Sequence, residues 1–167
     1  MKILISAKHW QLFVFLVGVM FLPTFLPDES SPYLPKILNL LLMIGLMGWV
    51  WTVGNTCNSK LPTELKKSSL PMTISIIYAG TYFIFLTFIF GKIGGIKMTY
   101  LAPFHFAAMI GMFYSLGYTA RRLVTLQKRE VVNFFEYSGP FFMFWFFPIG
   151  VWFIQPKVND LLGNKSV

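Results

Sequence analysis

The chain has 167 residues, is 56% hydrophobic and 12% charged, and carries a net charge of +8, where an average soluble domain is about 25% charged. A soluble domain of this length has no room to hide so much apolar and aromatic surface, because surface-to-volume scaling leaves too much of it in water. The composition points to one integral membrane domain over residues 1–167. The positive charge lies in loops beside apolar runs, where it sets topology and meets anionic lipid at the cytoplasmic face rather than nucleic acid.

A spanning helix needs about 20 mostly apolar residues. Lys2 and Lys8 precede an apolar run, as in a signal peptide, but the stretch that ends it, residues 21–27, offers no small-residue cleavage site. Residues 10–26 therefore read as a retained first span. A Pro- and Ser-rich connector, 27–35, leads to a second span at 34–53. The polar loop 55–71 holds Lys60, Glu64, Lys66 and Lys67, and contains the lone Cys57, which has no partner for an intrachain disulfide. A third span at 72–91 is followed by a tight turn at 92–97 with Gly94 and Gly95. A fourth span occupies 100–119, a basic connector 120–138, and a fifth span 139–154.

Every span should be helical, because each backbone amide in hydrocarbon must be satisfied within its own segment. The runs are also too long, and too apolar on all sides, for barrel strands. The expected fold is all-α: a polytopic transmembrane helix bundle of five spans. The fifth is the weakest. Its 16 residues reach only about 24 Å against a hydrocarbon core of about 30 Å, and Pro148 and Gly150 interrupt it. It either thins the bilayer as a short span, or begins earlier near Phe134 and draws Glu136 into the membrane, or gives way to four spans plus a re-entrant or interfacial C-terminal hairpin, which leaves the C-terminus cytoplasmic.

Orientation follows from the basic residues. The N-terminal tail, the 55–71 loop and the 120–138 connector together hold nine Lys and Arg; the other side holds five, Lys36, Lys92, Lys97, Lys157 and Lys165. The positive-inside rule then predicts a multi-pass protein of the cell inner (plasma) membrane with a cytoplasmic N-terminus. With five spans the C-terminus lies outside. The acidic pair Asp28–Glu29 falls on the outer side.

The connector repeats Leu123, Leu126, Val131, Phe134 and Phe135 at near-helical spacing, with Arg121, Arg122, Lys128 and Arg129 between them. That pattern suits an interfacial amphipathic helix, an extension of the fourth span, or a basic connector that only sets topology. In the fourth span Ala107, Gly111 and Ser115 form a small-xxx-small stripe; Gly45 and Gly48 form a shorter one in the second. Such stripes let helices approach closely, within the chain or across a subunit interface.

Two ionisable residues stand out. His105 sits near the outer end of the fourth span, two residues after Pro103. No second His, Cys or carboxylate joins it at a fixed spacing, so neither a metal site nor a cofactor site is expected. Glu136 lies at the start of the fifth span, where Arg121 and Arg122 are the expected partners. Its role is a structural anchor or a proton relay. Tyr78 and Tyr82 give the third span a modest polar side.

The sequence has no GxSxG, HExxH or CxxC motif and no Gly-rich phosphate loop. Eight of the thirteen residues 141–153 are aromatic, which makes this segment a candidate docking element. The first expectation is a non-catalytic accessory or assembly subunit of a larger inner-membrane complex, with a protein partner or a second copy. The alternative is a small oligomeric transporter or channel with a path along the polar side of the third span. A lipid-directed enzyme using His105 or Glu136 ranks third, since one titratable group without a positioned partner makes a poor site.

Overall fold

The computed structural model describes residues 2–25, 27, 31, 33–90 and 98–162. The expected turn at 92–97, the span-end residues Leu26 and Gly91, the Asp28–Glu29 pair and Lys165 lie outside them. Seven α-helices and no strand occur among the described residues: α1 Lys2–Ser6, α2 His9–Phe21, α3 Leu34–Ser59, α4 Leu70–Ile84, α5 Ala102–Lys128, α6 Phe134–Trp145 and α7 Phe147–Leu162. A 3-10 turn, Leu22–Phe25, extends α2, and a π turn, Phe85–Ile89, extends α4. The fold is all-α. Two helices, Leu34–Ser59 and Leu70–Ile89, are long and apolar enough to cross a membrane, and His9–Phe25 is a shorter apolar helix.

Local chemistry explains where the helices begin and end. α3, α4 and α5 each carry proline in the first turn (Pro35, Pro71, Pro103). There the missing N–H is one the helix leaves unpaired anyway. α5 ends at Arg129, which takes the left-handed conformation (φ 61°) and donates its N–H to the Thr125 carbonyl at 2.8 Å. α6 starts in a capping box: the Glu136 N–H donates to Asn133 Oδ1 at 3.3 Å, and the Asn133 N–H donates to Glu136 Oε2 at 2.6 Å. This reciprocal pairing satisfies two donors that a helix start leaves free.

Of the readings of the basic connector, the structure takes the extension: α5 runs unbroken to Lys128. Its last turns are buried on nearly every side, including Thr119, Ala120, Leu123, Val124 and Leu126. The 55–71 loop is shorter than expected, because α3 continues to Ser59. Cys57 therefore lies in the core at 0% exposure rather than in a loop.

The expected single helix at 139–154 is replaced by two. Phe146 leaves the helical region (φ −91°, ψ 57°), ending α6, and α7 restarts at Phe147. Pro148 then falls in the first turn of α7, where its missing donor costs nothing. The Phe146 carbonyl accepts from the N–H groups of both Ile149 and Gly150. The chain folds back so tightly here that Gly150 lies against the Met143 backbone; a Cβ built on it would sit 1.7 Å from the Met143 oxygen. Close approach, not unusual φ, is what this glycine provides.

α6 and α7 form a hairpin that enters and leaves the bundle at the same end. α6 starts beside the end of α5, where Lys128 pairs with Glu136. The hairpin tip reaches Phe113, whose ring stacks on Trp145 at 4.2 Å. Fifteen residues, about 23 Å of helix, separate Phe113 from the end of α5. α7 then returns until the Leu162 carbonyl accepts from Lys60 Nζ at 3.2 Å. Arg129 Nη1 also reaches the Lys60 carbonyl, at 3.4 Å. This end of the molecule, rich in Lys and Arg, is called the basic end below. The far end of α7 thus lies with the N-terminal segment and not at the end of the molecule that the hairpin tip reaches.

The hairpin fills the core at that end. Val151, Ile154 and Val158 of α7 and Phe144 of α6 pack on Trp49, Val50 and Val53 of α3, all at 0–1% exposure. The halves of α3, α4 and α5 away from the basic end leave Ile37, Ile44, Ile77, Phe106 and Ile110 exposed instead.

Candidate functional site

A polar clasp holds the hairpin in place. Gln155 is fully buried, in the middle of the apolar stripe Val151, Ile154, Val158 and Leu162. Its Oε1 accepts from Trp49 Nε1 at 2.8 Å. Its Nε2 lies 2.9 Å from the Ala7 carbonyl, 3.0 Å from Leu4, 3.2 Å from Ile5 and 3.1 Å from Asn159 Oδ1. An amide carries two hydrogens, so these four acceptors share them. Asn159 Nδ2 adds a bond to the Ala7 carbonyl at 3.2 Å. One side chain therefore joins α7, α3, the last turn of α1 and the link between α1 and α2. In a low-dielectric interior such a satisfied network is strong, and its loss is costly.

With the hairpin so held, α6 stands off from α5 and the segment at Lys67 and Ser68 across a cavity of about 650 Å³. Lys67, Arg121 and Arg122 line its mouth at the basic end; Ile110, Phe113 and Phe141 line the part toward the hairpin tip. Arg122 is 4% exposed. It donates from Nη1 to the Leu65 carbonyl at 2.7 Å and lies over the Tyr118 ring, 5.6 Å from its centre. The Tyr118 hydroxyl donates to the Lys67 carbonyl at 3.2 Å, which ties the loop to α5. The Nε atoms of Arg121 and Arg122 are buried without a hydrogen-bond partner among the described residues. Among the described residues no carboxylate lines the cavity.

Glu136 is not the partner of these arginines. It pairs with Lys128 at 2.5 Å while capping α6. The bond from Lys128 and the Asn133 N–H hold its carboxyl below the ordinary range, and the same bond raises the Lys128 ammonium. The expected grouping of Arg121, Arg122 and Glu136 therefore splits: the arginines face the cavity and the carboxylate anchors a helix start.

His105 is exposed and sits 5.9 Å from the Tyr82 ring. Tyr82 in turn stacks on Tyr78, whose hydroxyl donates to the Phe104 carbonyl at 3.2 Å. Tyr82 and His105 border a cavity of about 120 Å³ otherwise lined by apolar side chains such as Met43, Leu86 and Met109. The small-residue stripes pack inside the chain. A Cβ on Gly111 would meet Ser75 of α4 at 3.3 Å, one on Gly45 would meet Phe15 of α2 at 2.5 Å, and one on Gly48 would meet Leu4 at 3.7 Å. Ser115 is buried, whereas Ala107 is exposed.

Gln155, Asn159 and Trp49 are invisible to a motif search. The signal available for Gln155 was its register: it is the polar member of an apolar stripe spaced three and four residues apart. Among the described residues no three His, Cys, Asp or Glu side chains converge. The chain matches no family model, no curated protein and no solved structure.

Proposed function

We propose that the chain is a multi-pass inner-membrane protein in which α2, α3, α4 and α5 span and the α6–α7 hairpin is re-entrant. On this reading it serves as a non-catalytic accessory or assembly subunit of a larger membrane complex. Both termini are cytoplasmic, because Leu162, Lys60 and the clasped N-terminal segment share the basic end. Lys157 joins that end, which sharpens the asymmetry in positive charge. Lipid explains the exposed Ile37, Ile44, Ile77 and Ile110, which in water would make an aggregating surface.

The observation that carries the partner reading is the outer face of the hairpin. Phe135, Phe142, Phe146, Trp152 and Phe153 are 44–87% exposed, and exposed aromatics of this kind are the usual anchors of protein interfaces. The stripes at Gly45, Gly48 and Gly111 pack within the chain, so they support a docking role less than this face does. A transport path along Tyr78 and Tyr82 has less support, since their rings and His105 close on a small apolar cavity.

The test is chemical labelling and crosslinking in native membranes. Cysteines at Asp160 and Lys66 should react with an impermeant maleimide from the cytoplasmic side, and one at Lys36 from the other; Cys57 stays silent because it is buried. Labelling of the Asp160 position from the outer side would overturn the re-entrant topology. A photo-crosslinker at Phe146 should capture one discrete membrane protein. Reaction with lipid alone would overturn the subunit role.

A further inference from the structure

We propose that the cavity between α5, α6 and the segment at Lys67 and Ser68 binds the phosphate of an anionic phospholipid. Its headgroup would lie at Lys67, Arg121 and Arg122 and one acyl chain against Phe113 and Phe141. The proposal rests on the membrane reading above and adds a specific ligand to it.

Three observations carry it. The first is charge without compensation. Three cations share one mouth, no carboxylate lines it among the described residues, and Glu136, at the start of α6, is committed to Lys128 and the α6 cap. Burying positive charge without a counter-charge is expensive, so the site is completed by an anion from outside. The second is the unsatisfied state of the donors. Arg122 is 4% exposed, with one Nη bonded to the Leu65 carbonyl and Nε left over; the buried Nε of Arg121 is likewise unpaired among the described residues. Guanidinium groups suit phosphate because their donors form a planar fork.

The third is the gradient of the walls. The cations sit at the basic end, and Ile110, Phe113 and Phe141 line the part that reaches toward the hairpin tip. A free phosphate uses only the mouth. A phospholipid uses both parts, with the headgroup at the membrane surface and the chain in the interior, which matches basic pockets for lipid heads on the cytoplasmic side. The volume of about 650 Å³ accommodates a headgroup and part of a chain, within the usual range of ligand sites.

The experiment is native mass spectrometry of the full chain released from detergent, with phosphatidylglycerol and phosphatidylcholine of identical chains and inorganic phosphate as competitor. Phosphatidylglycerol should be retained at least tenfold more strongly than phosphatidylcholine. Lys67→Gln with Arg121→Gln should reduce that preference about tenfold or more, the size expected for two cations at a membrane surface. Lys157→Gln, at the same end but outside the cavity, should leave it within about twofold. Equal retention of the two lipids, or equal effects of the cavity and control substitutions, would overturn the proposal. So would displacement of the lipid by millimolar phosphate, which would mark the mouth as a simple anion site. A chain that stays soluble without detergent would sink the membrane reading itself. A chain that partitions into membranes but does not discriminate sinks only the lipid site. Thermal unfolding of each variant confirms that it is folded.

Discussion

Replacing Gly150 with alanine should open the α6–α7 hairpin. The new Cβ would lie 1.7 Å from the Met143 oxygen, 2.4 Å from its carbonyl carbon and 2.9 Å from its Cα. All three are backbone atoms of another helix, so no side chain can swing away. Relief requires α7 to retreat by about 2 Å to reach ordinary contact distance. That movement loosens Val151 and Ile154, both at 0% exposure, and Phe144 at 1%. Overpacking of this kind costs about 3 kcal/mol. Alanine returns about 1 kcal/mol in helix propensity, so the net loss is about 2 kcal/mol. For a chain of this size that lowers the midpoint by about 4–8 °C. The measurement is thermal unfolding of the purified protein in detergent, followed by tryptophan fluorescence. Gly80→Ala is the control, because nothing lies within 4 Å of its added Cβ; its midpoint should hold or rise. If Gly150→Ala unfolds within about 1 °C of the natural protein, the close hairpin packing is wrong.

Gln155→Leu keeps the volume of the clasp and removes its bonds. Trp49 Nε1 loses its acceptor and the Leu4, Ile5 and Ala7 carbonyls lose their shared donor. With about 1 kcal/mol per lost bond and a penalty for each buried group left unpaired, the loss is about 3 kcal/mol. The N-terminal segment should also become sensitive to protease; unchanged midpoint and cleavage together would refute the clasp. The Lys128–Glu136 pair predicts a pH signature. Glu136 has its folded pKa below the ordinary 4.5, so its contribution is complete above that value and lost as pH falls through the folded pKa. Lys128 has its folded pKa above 10.5, so its contribution is complete below that value and lost as pH rises further. The stability difference between the natural protein and Glu136→Gln should be flat from about pH 6 to pH 9 and shrink in strong acid. A difference that persists unchanged at about pH 3 would contradict this pairing.

Helical class and the approximate helices were legible because each depends on local composition. The apolar runs, and the prolines that open α3, α4 and α5, are written in consecutive residues. The extension of α5 was one of three readings of its periodicity. The candidate site was legible only in pieces. Arg121 and Arg122 stood out as charges, but their expected partner, Glu136, was assigned by proximity in sequence and belongs to Lys128 instead. Lys67, Phe113 and Phe141 come from three separate segments, and no spacing rule connects them.

An apolar, helical, basic-ended chain was determined by the sequence alone, because hydrophobicity and charge act residue by residue. Whether the last apolar segment forms one helix or a folded-back pair was decided by tertiary structure. Pro148 and Gly150 permit a break, but permission is not direction. The direction comes from contacts across the chain: Gly150 on Met143, Gln155 on Trp49 and Ala7, and Leu162 on Lys60. These pairs are separated by up to 148 residues, and their energies exist only once the helices are packed.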